Sequence, residues 1–205
     1  MGAHLGQDPQ LGEDFDGGAA EVHRVSGGAQ ARRTFDDLLR GARQCLIERG
    51  WARTTVRDIA EAAGVNHAAI GYHFGSKDAL LTQALVEAME QLSAELAEQS
   101  RTDGTEARWQ ALIDTFTTHR RLWVAQLEAA VQAEHSPEIR RHLAEGQREG
   151  REGLGGSVPL ALVTGLMLQW LVDPAHAPDA AEALAGVRTL AADLVTGDRS
   201  EVIGR

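Results

Sequence analysis

The chain has 205 residues, a net charge of −10, 43% hydrophobic residues, five prolines and a single cysteine. That length buries one good core or two small ones, the composition favours helices over strands, no apolar run of ~18 residues is present to span a membrane, and a lone Cys45 excludes an internal disulfide. The negative balance argues against indiscriminate nucleic-acid binding, but it is uneven: residues 1–30 carry net −4, residues 31–79 net +2 and residues 80–205 net −8.

Residues 1–30 are rich in Gly, Asp and Gln without periodicity and read as a disordered tail. They contain no apolar signal-peptide core, so a cytoplasmic protein is expected. A first helix is predicted over Thr34–Arg49, with Phe35, Leu38, Leu39, Ala42, Cys45 and Leu46 as its apolar stripe and Gly50 as its stop. At that spacing Cys45 is a core residue and not a nucleophile.

The next segment carries the densest local signals. Thr55 stands where an N-cap belongs, with Asp58 three residues on. Val56, Ile59, Ala60 and Ala63 give one apolar helix face, and Gly64 supplies the left-handed residue that ends it. Asn66 can cap a second short helix to about His73, and Ser76 a long third one to about Glu98, lined by Leu81, Leu85, Ala88, Leu92 and Leu96. Helix, glycine turn, helix is the helix-turn-helix arrangement, whose second helix enters a DNA major groove.

The run Thr55-Val56-Arg57-Asp58-Ile59-Ala60-Glu61-Ala62-Ala63-Gly64-Val65, followed by Tyr72-His73-Phe74-Gly75-Ser76-Lys77-Asp78-Ala79-Leu80-Leu81, resembles the DNA-binding domain of TetR-type transcriptional regulators. The resemblance covers residues 32–92, with the motif at 55–74, under a third of the chain. It implies a three-helix head on an α-helical body, and DNA contacts at positions matching Thr55, Arg57, Ala69, Tyr72, His73 and Lys77. The residues themselves add Asn66, His67, Ala68 and Gly71 to the face free to meet DNA. Thr55 and the amides behind it can hold a phosphate, and Lys77 is a point charge for another. His67 and Arg57 can reach base edges, and the Ala68 and Ala69 methyls suit a thymine methyl. His73 can alternatively pack between helices. Gly71 departs from the resembled pattern, in which a second aromatic is common, and costs roughly 1 kcal/mol of helix propensity.

Past a break at Arg101–Gly104, five more helices are predicted within a domain of residues 105–195: from a Thr105 cap to about Thr118, Arg120 to Glu134, Ser136-Pro137 to about Gly153, Val158 to Val172, and Asp179 to Val195, with residues 196–205 as a frayed tail. The fold expected is thus all-α, about nine helices, a helix-turn-helix head plus a ligand-binding and dimerisation domain. Val158–Val172 is apolar on nearly every side and must be covered by more than its own domain. A two-fold interface is expected there, using Leu166, Trp170, Leu184, Val187, Ala191 and Leu194. The resemblance also implies a small effector inside the body, and Trp109, Phe116, His119, Trp123, Gln126, Met167 and Trp170 are the candidates to line its cavity, with ordinary core packing as the plainer alternative.

His119, His135, His142 and His176 form no metal-ligand pattern, and neither a phosphate loop nor a serine elbow is present. No catalytic residue, metal or cofactor is expected. The sequence therefore reads as a homodimeric DNA-binding repressor of a palindromic operator, released by an apolar small molecule. An architectural or cell-division DNA-binding protein with the same head and no ligand is the alternative.

Overall fold

The computed structural model describes residues 17–99 and 104–202. They form nine helices, with no strand among the described residues. The first, α1 (Gly17–Arg49), begins well before the Thr34 expected from the sequence. The expected tail therefore divides: residues 1–16 lie outside the described residues, and residues 17–30 are helical. No proline interrupts residues 17–49, so the weak helix formers Gly17, Gly18, Gly27 and Gly28 lower propensity without breaking the hydrogen-bond ladder. Residues 28–33 of this extension are exposed, and full burial begins at Leu38.

The head is built from α1, α2 (Val56–Ala63), α3 (Ala68–Phe74) and the start of α4 (Lys77–Gln99). Leu38, Ala42 and Leu46 of α1 are fully buried against Ile59 of α2 and against Leu80, Leu81 and Leu85 of α4. The α1–α2 crossing is close enough to demand a glycine. A Cβ on Gly41 would stand 2.9 Å from the Ala63 amide nitrogen and 3.0 Å from the Ile59 carbonyl oxygen. The turn out of α2 needs another. Gly64 has φ +68°, and its amide and that of Val65 satisfy the Glu61 and Ala60 carbonyls, the left-handed helix ending in which glycine avoids a Cβ clash.

The body contains α5 (Thr105–Thr118), α6 (Arg120–Gln132), α7 (Pro137–Leu154), α8 (Ser157–Val172) and α9 (Ala180–Val202). Residues 100–103, where the break was expected, lie outside the described residues. Thr105 is not the cap expected of it: Gly104 takes that position without a side-chain bond, and Thr105 is the first helical residue. Ser136 does cap α7, accepting from the Ile139 amide with Pro137 behind it. At α9, the Glu182 amide donates to the Asp179 carboxylate at 2.9 Å. That helix continues past Val195 to Val202, so residues 196–202 of the expected frayed tail are helical and residues 203–205 lie outside the described residues.

The body core is aromatic at its centre. Phe116 is fully buried and meets Trp123 edge-on, ring centroids 5.2 Å apart. The Trp123 indole N–H donates to the Thr115 hydroxyl at 3.1 Å, so its one polar atom is satisfied. Burying a side chain of this size contributes roughly 1.5–3 kcal/mol.

Two hydrogen bonds join the body to the last turn of α1 and the turn after it. The Trp51 amide donates to Glu128 Oε2 of α6 at 2.7 Å, and Arg121 Nη1 donates to the Glu48 carbonyl at 3.1 Å. Trp51 itself is 2% exposed. A single aromatic outside any periodic run gives sequence reasoning no reason to choose it.

Candidate nucleic-acid interface

The α2 N-terminus is closed by a reciprocal cap. The Thr55 hydroxyl accepts from the Asp58 amide at 3.2 Å, and the Thr55 amide donates to Asp58 Oδ2 at 2.8 Å. Asp58 also pairs with Arg49 at 3.2 Å. The bonds from Thr55 hold the Asp58 carboxyl below the usual carboxylate range, with Arg49 reinforcing them. This cap consumes the Thr55 side chain, so Thr55 shapes the helix start while the amides after it keep their outward donors.

Lys77 comes to the same place from 22 residues downstream of Thr55. Its ammonium donates to the Thr54 carbonyl at 3.1 Å and lies 3.5 Å from Asp78. The fold thus sets the first residue of α4 against the entry to α2, joining two anion-attracting features predicted separately. Arg57, on the first turn of α2, is exposed.

The α3 helix is anchored from one side and open on the other. Ile70 is 2% exposed, and Phe74 stacks on Phe35 of α1 with centroids 4.6 Å apart. Asn66 is not the cap expected of it: it accepts from the Ala68 amide at 2.9 Å, and His67 takes the N-cap position of α3 without a side-chain bond. His67 and Ala68 are exposed, Ala69 is half-buried, and Gly71 faces open space. Tyr72 is 83% exposed, the most exposed large side chain here. His73 sits edge-on between Tyr72, centroids 4.9 Å away, and Phe35, 6.2 Å away. It therefore props the tyrosine while keeping one side open. Phe35 was read from the sequence only as part of a helix stripe, yet it holds α3 in place.

The residues proposed for an effector cavity are arranged differently. Phe116, Trp123 and Met167 are core, at 0, 6 and 3% exposure, with Trp109, Gln126 and Trp170 half-buried. Two hollows are described, one beside Gly104, Gln110 and Asp179 and one between head and body; of the expected effector residues only His119 lines either.

The dimer candidates also divide. Leu166 is 3% exposed, turned into its own subunit, and so cannot meet a partner. Trp170 donates to the Pro178 carbonyl at 3.0 Å, fastening the α8–α9 connection. The outward α8 face instead holds Leu168 and Val172, at 50 and 75% exposure, while α9 offers Val187, Leu190 and Leu194, at 39, 62 and 68%. Leu184 is half-buried and Ala191 exposed. Among the described residues no helix is long and apolar enough by itself to cross a membrane, and no three His, Cys, Asp or Glu side chains gather as metal ligands.

Residues 38–84 match the family described as bacterial regulatory proteins, tetR family. The HTH-type transcriptional regulator TtgR of Pseudomonas putida is 39% identical over 74 residues, which are 36% of this chain and 35% of that protein. The chain thus spans about a third of TtgR's length. A transcriptional regulator structure from Streptomyces coelicolor A3(2) superimposes with a TM-score of 0.60 at 23% identity, covering 76% of this chain and 96% of that one. The multidrug binding protein EbrR, solved with proflavin, gives a TM-score of 0.55 at 22% identity over 77% and 97% of the two chains. At these identities the structures establish a shared fold.

Proposed function

We propose, from the premise that its head belongs to the tetR family of bacterial regulatory proteins, that this chain is a sequence-specific DNA-binding transcription regulator, a cytoplasmic homodimer that represses by occupying a palindromic operator. The carrying observation is α3: a short helix pinned by Ile70 and Phe74 with Tyr72 83% exposed, on a head where the Lys77 ammonium rests at the entry to α2. In this reading the α2 amides, entered through Thr55, and Lys77 grip backbone phosphates and fix register. Arg57, His67, Ala68, Ala69, Gly71 and Tyr72 face the major groove, with His73 behind Tyr72 and Asn66 holding the helix start.

The homodimer is supported by the apolar outer faces of α8 and α9. Leu168, Val172, Leu190 and Leu194 are each at least half exposed, the kind of patch that marks an interface on a soluble chain. Two such pairs would close a four-helix bundle about a two-fold axis and place two heads on two half-sites.

Release by a small apolar effector completes the reading. Its support is the likeness of fold to EbrR, which was solved with proflavin. The solid packing of Phe116, Trp123 and Met167 favours a second reading, a ligand-independent architectural or cell-division role for the same head.

Selection of bound duplexes from a random pool tests the central reading. A common two-fold-symmetric sequence, bound at least ~1000-fold more tightly than sheared DNA, is expected. Equal affinity for all duplexes would reject it.

A further inference from the structure

Where α1, α4 and the α5–α6 corner meet, the structure has a cleft of about 320 Å³, at the lower end of small-molecule sites. Its apolar wall includes Leu92, 6% exposed, and Ile47, 43% exposed. Around it stand Arg43 from α1 and Arg121 from the start of α6, with Glu95 as the one carboxylate in the lining.

Three arginines line the cleft against the single carboxylate, and Arg120 donates to the Leu171 carbonyl at 2.8 Å. In the cleft, Arg43 donates to the neutral Gln91 side chain and Arg121 to the Glu48 carbonyl. A guanidinium has five donors in a fork that matches a carboxylate, so each retains donors for a charged partner. This cationic lining sits in a chain of net charge −10.

We propose that this cleft binds a small organic monocarboxylate with a compact apolar body, the carboxylate on Arg43 and Arg121 and the apolar part on Ile47 and Leu92. The site differs from the aromatic centre of the body, which is filled. Its regulatory consequence rests on the regulator reading above. A bound carboxylate competes with the Glu48 carbonyl for Arg121, and so acts on the last turn of α1, next to the Arg49–Asp58 pair that braces the α2 cap.

The test is calorimetric titration of the full chain with octanoate, with 1-octanol as the neutral control and inorganic phosphate as the bare anion. Octanoate should saturate, with 1-octanol about tenfold or more weaker and phosphate weaker still. Arg43→Gln and Arg121→Gln should each weaken octanoate about tenfold while leaving 1-octanol unchanged, as expected for loss of a charge-assisted pair. Ile47→Glu, at a partly exposed position, should abolish octanoate binding by repulsion without unfolding the chain. If an arginine variant melts early, Ile47→Glu decides. Absence of saturation, 1-octanol or phosphate binding as tightly as octanoate, or undiminished octanoate binding in Ile47→Glu, each overturns the proposal. DNA binding is measured separately. A chain that takes octanoate but no specific DNA keeps the cleft and loses the regulator reading, and one that binds DNA but not octanoate does the reverse.

Discussion

The head leaves little apolar surface outside, whereas the body leaves a continuous run of it. In the head, apolar side chains of α1, α2 and the start of α4 close on one another, and the exposed residues of α3 are small, polar or a single tyrosine. In the body, α8 and α9 leave six leucines and valines, from Val158 to Val195, at least half exposed. In the proposed dimer a partner covers what the body exposes, whereas the buried residues of the head belong to the fold itself. Substitutions of the same chemical kind should therefore report on assembly or on folding.

The largest effect should come from two leucine truncations that remove the same atoms. Leu46→Ala, at a fully buried head position, should cost about 2–5 kcal/mol in denaturant unfolding at every protein concentration. Leu194→Ala, 68% exposed, should lose stability only where the wild type is dimeric, and weaken the dimer by sedimentation. Equal, concentration-independent losses, or a monomeric wild type at micromolar concentration, would erase the contrast between the two regions.

Gly41→Ala should follow at about 1–3 kcal/mol, because its methyl must displace α2 backbone. An unfolding free energy within ~0.3 kcal/mol of wild type would show that the α1–α2 crossing can open. Tyr72→Ala should leave stability unchanged and cost roughly 1–3 kcal/mol in operator affinity. Lys77→Ala should weaken all duplexes alike and reduce the salt slope by about 1. Anisotropy titrations at several salt concentrations separate the two.

The smallest effects are electrostatic and have opposite signs at Asp58 and Glu90. The Asp58 carboxyl is held below its ordinary value, so its contribution is present above the ordinary carboxylate pKa and lost as pH falls through the lower folded one. Asp58→Asn should therefore destabilise the head at neutral pH and flatten its acid limb. Glu90, where α4 faces α7, is pushed up by burial, then by Glu149 and Glu87. Its charged form is disfavoured in the folded chain, so the associated stability is present below the ordinary value and lost as pH rises through the raised one. Glu90→Gln should raise the melting temperature at neutral pH and do little at pH 4, a gain under about 0.5 kcal/mol given its exposure. Melting curves at the two pH values check both signs.

The sequence was most legible where local chemistry decides the outcome. Thr55 with Asp58, Gly64, Ser136 with Pro137, and Asp179 each mark a helix end through one residue's own bonds, and the structure places all of them there. It was least legible where several arrangements satisfy the same pattern. Because α8 is apolar on nearly every side, no period distinguishes its inner face from its outer one, and the pattern cannot place Leu166 on the inner side where the structure has it. The same aromatic set can line a cavity or fill a core; only the mutual geometry of Phe116, Trp123 and Thr115 decides, and that is tertiary. The α1 extension was misread for a third reason. Glycines lower helix propensity by about 1 kcal/mol each but do not forbid a helix, and composition alone weighed them as a stop. On the candidate DNA-facing surface, the residue types are visible in sequence. The division of labour among them is not, since Thr55 spends its side chain on a cap, Asn66 on the Ala68 amide, and His73 leans on Phe35.

Lys77 is the only lysine among the twenty basic residues of this chain. Its ammonium rests on the Thr54 carbonyl, and its side chain is 27% exposed. Side-chain acylation by an amine-selective reagent therefore has one address in the protein, at the mouth of α2. The rate at which that address is modified, read on the peptide that carries Lys77, is a built-in gauge of how firmly α4 is docked on the entry to α2, and of whether anything polyanionic lies across it.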